Sequence, residues 1–487
     1  MKRTISATLL LSLLLSASMT ACGGSETTNP NESAPVTEPE TEAVETEAII
    51  PLPEIDYGGA NYKILTAAEQ WQGFYNAEQT GDAVDDAVYA RNKAVEERYN
   101  ITLEYAVYNG YMAGTKDVKT ALTGSVMGGA AEYDLMVGTV GYTTAYIADN
   151  LFMDLYQCDI DFSQPWWYQD INAELELCGN LYVAAGGYGL QSVSNAVVTF
   201  FNKNLIADFD LEDPYQLVRD GKWTIDKLME MGTAVTQDLN SDGKYDRADR
   251  VGLLSSFDYM LFMPNNWGHF YTTRDAEGNI YVSEATERLF DMSRKYNEIF
   301  DDNAYLEVYP EFLDGTQDGN LMRDNMMKKF CADEALFVYY TLEQATKPTA
   351  RNIEEYGILP APKFDETQKE YITPVVNEVS AIPNLVKDIA MSAVIMDALQ
   401  YYTYADVVPV YKEIALKRKA TRDNDSAEML DIILTTMHCD FAYMFSDLVG
   451  DLRGSISQKN YASYAEKNYD KFQSKIDKFV EALKEIE

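Results

Sequence analysis

Between Asn61 and Gly138 three apolar stretches alternate with two amphipathic ones, and this restricts the fold more than any other feature of the chain. Asn61-Tyr62-Lys63-Ile64-Leu65 alternates in the two-residue period of a strand. From Asp85 to Tyr99 the period changes: Ala87, Val88, Ala94 and Val95 fall on one side of a helix, with charges between them. Ile101-Thr102-Leu103-Glu104-Tyr105 alternates again, Asp117 to Met127 returns to helical spacing, and Tyr133 to Gly138 is a short buried strand. Strands separated by helices lie parallel, and the helices cover the faces of the sheet. The pattern predicts an α/β fold.

Beyond this unit, Leu181 to Ala185 is a further strand that runs into Gly186-Gly187-Tyr188-Gly189, and Ala196 to Phe201 is another. Ala335 to Tyr340 and Tyr356 to Pro360 are strand-like. Helical spacing covers Ile225–Thr236, Ser283–Phe300, Met322–Lys329, Lys387–Leu416, Ser426–Leu448 and Tyr461–Ile486. The 487 residues suffice for two or three domains, and 46% hydrophobic content supplies a large core. Lys and Arg number 39 against 78 Asp and Glu, a formal net charge of -39. Nucleic-acid binding needs clustered positive charge, so no nucleic acid is expected as a partner. The same balance disfavours attraction to anionic lipid through protein charge. Two histidines, His269 and His438, are too few for a zinc hydrolase built on several. No Gly-x-Ser-x-Gly elbow, phosphate loop or dinucleotide fingerprint occurs. With so many acids, paired carboxylates fall everywhere and select no glycosidase.

The N-terminus reads as a secretory leader: Lys2 and Arg3, an apolar run from Ala7 to Ala17, then Met19-Thr20-Ala21-Cys22. The run is shorter than the ~20 apolar residues of a spanning helix. Small residues before a cysteine, with Gly23 and Gly24 after it, resemble the lipobox of bacterial lipoproteins. That resemblance implies a signal peptide over 1–21 and a diacylglycerol on Cys22, holding the protein on the extracellular face of the bacterial cell membrane. Residues 22–56 are rich in Thr, Glu and Pro without apolar periodicity, which predicts a disordered acidic tether. The other cysteines, Cys158, Cys178, Cys331 and Cys439, allow three disulfide pairings, and free buried thiols fit equally well.

Two features carry site chemistry. Asp238-Leu239-Asn240-Ser241-Asp242-Gly243-Lys244-Tyr245-Asp246-Arg247-Ala248-Asp249 places oxygen side chains at loop positions 1, 3, 5, 9 and 12 and glycine at 6. A turn at Gly243 lets Asp238, Asn240, Asp242, the Lys244 carbonyl, Asp246 and Asp249 converge on a structural calcium ion. The alternative is an Asp/Asn/Gly turn closed by its own hydrogen bonds. The second feature is 35 tyrosines and 5 tryptophans, many beside turns. Flat aromatic faces stack on sugar rings, and as a set near strand ends they suggest a ligand cleft.

Several stretches, in this order, resemble extracellular solute-binding lipoproteins of ABC importers, in particular sugar-binding members of clostridial type. They are Asp82 to Asn92, Tyr133-Asp134-Leu135, Leu181-Tyr182-Val183 through Phe200-Phe201-Asn202-Lys203, and Tyr356-Gly357-Ile358-Leu359-Pro360-Ala361-Pro362-Lys363. The resemblance covers Tyr57 to Glu487. It implies a non-enzymatic, two-lobed periplasmic-binding-protein-like fold with a multi-crossing hinge, and delivery of a solute to ABC permease subunits. Lobe 1 is then expected from 57–190 plus 336–402 and lobe 2 from 191–335 plus 403–487. Crossings are expected near Gly186–Asn195, Ala335–Tyr340 and Tyr401–Asp406. Cleft candidates by position are Trp71, Tyr75, Tyr142, Thr143, Tyr188, Trp267, Tyr339 and Asn377. The solute expected is an oligosaccharide; a surface glycan-degrading lipoprotein and a receptor for peptides or other polar solutes are the alternatives.

Overall fold

A computed structural model describes residues 51–67, 78–108, 111–347, 349, 356–375, 378–417 and 424–485. Cys22 and the tether to residue 50, Trp71, Tyr75 and Asn377 lie outside the described residues.

The alternating segment folds as its periods predict. Strand Ala60–Ala67 pairs in parallel with Ile101–Tyr108 on one side and Leu135–Thr139 on the other. The intervening helix Ala83–Tyr99 begins where Asp82 accepts a hydrogen bond from Val84 N at 3.0 Å and ends at Asn100 in the left-handed region. Helix Tyr111–Met127 leads into the third strand. The sheet is completed by Glu378–Ala381, antiparallel to Leu135–Thr139, and by Ala184–Ala185 at its edge.

A second five-stranded sheet has the order Tyr356–Pro360, Val197–Asn202, Ala335–Thr341, Val251–Ser255, Tyr305–Glu307. Ala335–Thr341 is its centre, antiparallel to Val197–Asn202 and parallel to Val251–Ser255. All seven of its residues are buried, as on a strand covered on both faces. Helix Ile225–Val235 packs on Val251–Ser255 by close backbone approach: a Cβ on Gly232 would stand 3.1 Å from Gly252 Cα, and one on Gly252 would collide with Gly232 backbone.

The chain connects the sheets three times. It leaves the first through residues 186–196, returns between Pro360 and Glu378, and leaves again where helix Ile389–Tyr402 passes into a π-helical turn, Thr403–Val407. The expected crossing at Ala335–Tyr340 is thus corrected. That run is apolar because both its faces are covered, and the strands Ala335–Thr341 and Tyr356–Pro360 belong with the second sheet rather than with lobe 1. The expected helix Ser426–Leu448 is also broken. Asn424–Thr435 ends, and Met437–His438 pairs in parallel with Thr373–Pro374, a partner distant in sequence. Beside the crossings, Val88 of the first lobe shares a core with Leu190, Val193, Tyr340, Leu342 and Val407. No helix of the described residues is long and apolar enough to cross a membrane.

Candidate functional site between the lobes

The carboxyl end of strand Leu135–Thr139 turns directly into helix Val140–Thr143, where Thr143 Oγ1 donates back to Thr139 O at 3.0 Å. Opposite it lies the segment after the broken helix. Asp440 caps Phe441–Met444 by accepting from Ala442 N at 2.7 Å and also accepts from Tyr271 N at 2.6 Å, which fixes the segment to the second lobe. Complete burial pushes the Asp440 carboxyl up to about 7 against those hydrogen bonds. Tyr443 stacks on Phe262 with centroids 4.2 Å apart and planes at 16°, donates to Leu261 O at 2.5 Å, and carries the Arg453 guanidinium 4.7 Å above its ring.

Two hydrogen bonds join these surfaces. Thr144 Oγ1 donates to Met444 O at 2.6 Å, and Ser446 Oγ donates to Gly141 O at 3.1 Å. Away from the crossings, Arg274 Nη2 donates to Glu174 O at 2.6 Å. The lobes therefore meet. Beside this contact, within the first lobe, a cavity of about 10 Å³ is lined by Ala67, Val118, Met136, Gly138, Thr139, Tyr142, Thr143 and Tyr146, room for about one water. With these hydrogen bonds made, the lobes are closed on each other along this seam.

Of the aromatic and polar residues expected at a cleft, Tyr142 and Thr143 line this cavity together. Tyr188 is fully buried in the first crossing, its hydroxyl 2.9 Å from Tyr105 Oη. Tyr339 and Trp267 are buried in the second lobe. The Tyr339 hydroxyl donates to Asn266 Oδ1, and the Trp267 ring centroid lies 5.3 Å from Phe364. These three rings present no face to a solute in this conformation. Tyr443, Phe262 and Ser446 were missing from the expected set. The signal for Tyr443, and for Ser446 just after it, was the aromatic run Phe441-Ala442-Tyr443-Met444-Phe445, hidden by its apparent helical spacing; Phe262 carried no such signal. His269 is buried, and desolvation pushes it down to about 4, so its imidazole is neutral.

The Asp238–Asp249 loop is closed by its own side chains. Asp238 accepts from Ser241 N (2.6 Å) and Gly243 N (2.9 Å), Asn240 from Asp242 N (2.8 Å), and Asp242 from Lys244 N (2.9 Å). Asp246 accepts from Ala248 N (2.8 Å), and Asp249 from Leu239 N (2.9 Å) and Asp246 N (3.0 Å). Gly243 has the positive φ of 80° that the turn needs. Among the described residues no group of three or more His, Cys, Asp or Glu is placed to hold a metal. No disulfide joins Cys158, Cys178, Cys331 and Cys439 in any pairing.

No protein-family model matches the chain, and no curated protein matches it by sequence. Solved structures do match over most of its length. The galacto-N-biose/lacto-N-biose I-binding protein of an ABC transporter from Bifidobacterium longum aligns with TM-score 0.56 at 13% identity, covering 88% of this chain and 99% of that one. A cyclic α-maltosyl-1,6-maltose binding protein from Arthrobacter globiformis aligns with TM-score 0.54 at 13% identity, covering 88% and 100%. An ABC substrate-binding protein from Listeria monocytogenes in complex with cycloalternan aligns with TM-score 0.51 at 13% identity, covering 88% and 99%. The fold is accordingly the α/β, two-lobed, periplasmic-binding-protein-like one.

Proposed function

We propose that this protein is a lipid-anchored extracellular receptor that captures an oligosaccharide between its lobes and delivers it to an ABC permease. The observation that carries the reading is the pair of mixed five-stranded sheets joined by three crossings, with a seam at the strand ends. Such a molecule encloses a solute by hinge closure. The sugar-binding proteins that share the fold support a carbohydrate as the solute. The Tyr142 ring at the seam, with the hydroxyls of Thr143 and Ser446, suits stacking on and hydrogen bonding to sugar rings. The anchor rests on Cys22, the cysteine that follows Thr20 and Ala21. One lipid chain binds a membrane only marginally, whereas two acyl chains hold stably.

The test is a thermal-shift screen of the protein against maltodextrins, cyclic and β-linked oligosaccharides, and short peptides, with chromatography of each mixture afterwards. A melting temperature raised by an intact oligosaccharide is the expected result. Cleavage products would replace the receptor with a glycan-degrading enzyme, and a shift with peptides alone would replace the sugar.

A further inference from the structure

All three crossings meet in one buried polar knot. Arg91, 1% exposed, sits on the inward face of helix Ala83–Tyr99. Its Nη1 donates to Tyr188 O at 2.5 Å and to Thr403 Oγ1 at 2.9 Å, and its Nη2 donates to Asn92 Oδ1 at 2.9 Å. The guanidinium lies 4.6 Å over the Tyr188 ring. Tyr188 belongs to the first crossing, and Thr403 opens the π turn of the third. Tyr188 N donates to Gln400 Oε1 at 2.8 Å, and Gln400 Nε2 to Ser380 Oγ at 3.2 Å. Glu378 begins the strand on which the second crossing lands, and its Oε1 accepts from Gly189 N in the first. Glu378 is 2% exposed, and its second oxygen, Oε2, has no partner. The fit is tight: a Cβ on Gly189 would collide with the Glu378 carboxyl, and one on Gly186 with the Gln400 amide.

We propose that Glu378 is a proton-operated latch of the hinge: protonated, it keeps the knot and the lobes closed, and loss of the proton favours the opened molecule, in which water reaches the carboxylate. A buried acid with one oxygen unpartnered gains little from ionising where it stands. The groups facing it pull in both directions. Arg91, from helix Ala83–Tyr99, and the Gly189 and Gln191 amides favour the charge, while burial opposes it and prevails, pushing the carboxyl up to about 8. Tyr188 and Tyr168 also border it, both raised by burial and so neutral at physiological pH. The closed form thus holds a proton that a wetted hinge releases, and rising pH favours opening. The shift can be no larger than the difference in proton affinity between the two states.

Small-angle X-ray scattering of the full chain without ligand, from about pH 6 to about pH 9, tests the latch. The radius of gyration should rise with pH in the wild type and stay constant in Glu378→Gln. Asp440→Asn should expand like the wild type, which separates Glu378 from the other buried acid that titrates near neutrality. A flat wild-type curve overturns the proposal, as does expansion of Glu378→Gln equal to wild type or its loss in Asp440→Asn. If Glu378→Gln lacks a native circular-dichroism spectrum, Glu378→Asp replaces it and should move the midpoint of the expansion; an unmoved midpoint counts against the latch.

Discussion

Ser446 Oγ donates to Gly141 O at 3.1 Å across the seam, and a Cβ on Gly141 would stand 2.8 Å from that same Oγ. Glycine at 141 is therefore what lets the lobes touch there. Gly141→Ala should turn the Ser446 hydroxyl away and cost the bond, about 0.5–1.5 kcal/mol. Ser446→Ala should cost a similar amount. Because both remove one contact, the double variant should be no less stable than the worse single one, a coupling that urea denaturation reads directly. Additive losses would show that the bond contributes nothing.

Gly252 is constrained more severely, since its neighbour is backbone rather than a side chain that can rotate. Gly252→Ala should force helix Ile225–Val235 off strand Val251–Ser255 and destabilise by about 1–3 kcal/mol or more. Gly232→Ala, with 3.1 Å to Gly252 Cα, should cost less. Equal midpoints in urea for Gly252→Ala and wild type would contradict this packing.

How much of this was legible depends on whether each feature was local. Strand Ile101–Tyr108 and helix Ala83–Tyr99 follow from side-chain period, because one face of each is buried and the other wet, whereas Leu135–Thr139 follows from its short apolar run. Ala335–Thr341 has no such contrast, so its place at the centre of a sheet could not be told from a crossing. The break after Thr435 is imposed by pairing of Met437–His438 with Thr373–Pro374, which no local pattern encodes. It placed Tyr443 and Ser446 at the seam, where a continuous helix would not. Arg91 shows the same limit. A cation on an amphipathic helix reads as solvent-facing, yet Arg91 is buried on partners 97 and 312 residues away.

The Asp238–Asp249 turn makes a cheap test of calcium. Its acids already accept its amides, so the turn should persist without metal, and an ion would add stability by binding only the folded loop. After chelation, added calcium should leave the melting temperature of the wild type unmoved, as the self-closed turn implies. A rise with calcium that is lost in Asp238→Ala would show that the loop binds the ion instead.

Cys22→Ser addresses the anchor. Membrane fractions of cells expressing the wild type should retain the protein, and the variant should appear in the soluble or secreted fraction. Retention of the variant on membranes would assign the attachment to something other than a thioether-linked lipid.

Asp440 is a fully buried acid of the second lobe, so its proton bears on stability. Its carboxyl is raised from 3.8 to about 7 by complete burial, while Ala442 N–H and Tyr271 N–H oppose the rise. A folded-state value above the unfolded one means the native protein holds a proton that the unfolded chain has lost. The stability contribution is thus fully present below about pH 4 and is lost as pH rises through about 7. A rise of about three pH units corresponds to about 4 kcal/mol as an upper figure. In Asp440→Asn the side chain carries no charge, but only one of the two backbone N–H groups, which bond Oδ1 and Oδ2 separately, keeps an oxygen acceptor. This variant should therefore be less stable than the wild type at about pH 4 and less sensitive to pH between about 4 and 7, when the two are compared by urea melts. A variant whose stability still falls in parallel with the wild type would place the titrating group elsewhere.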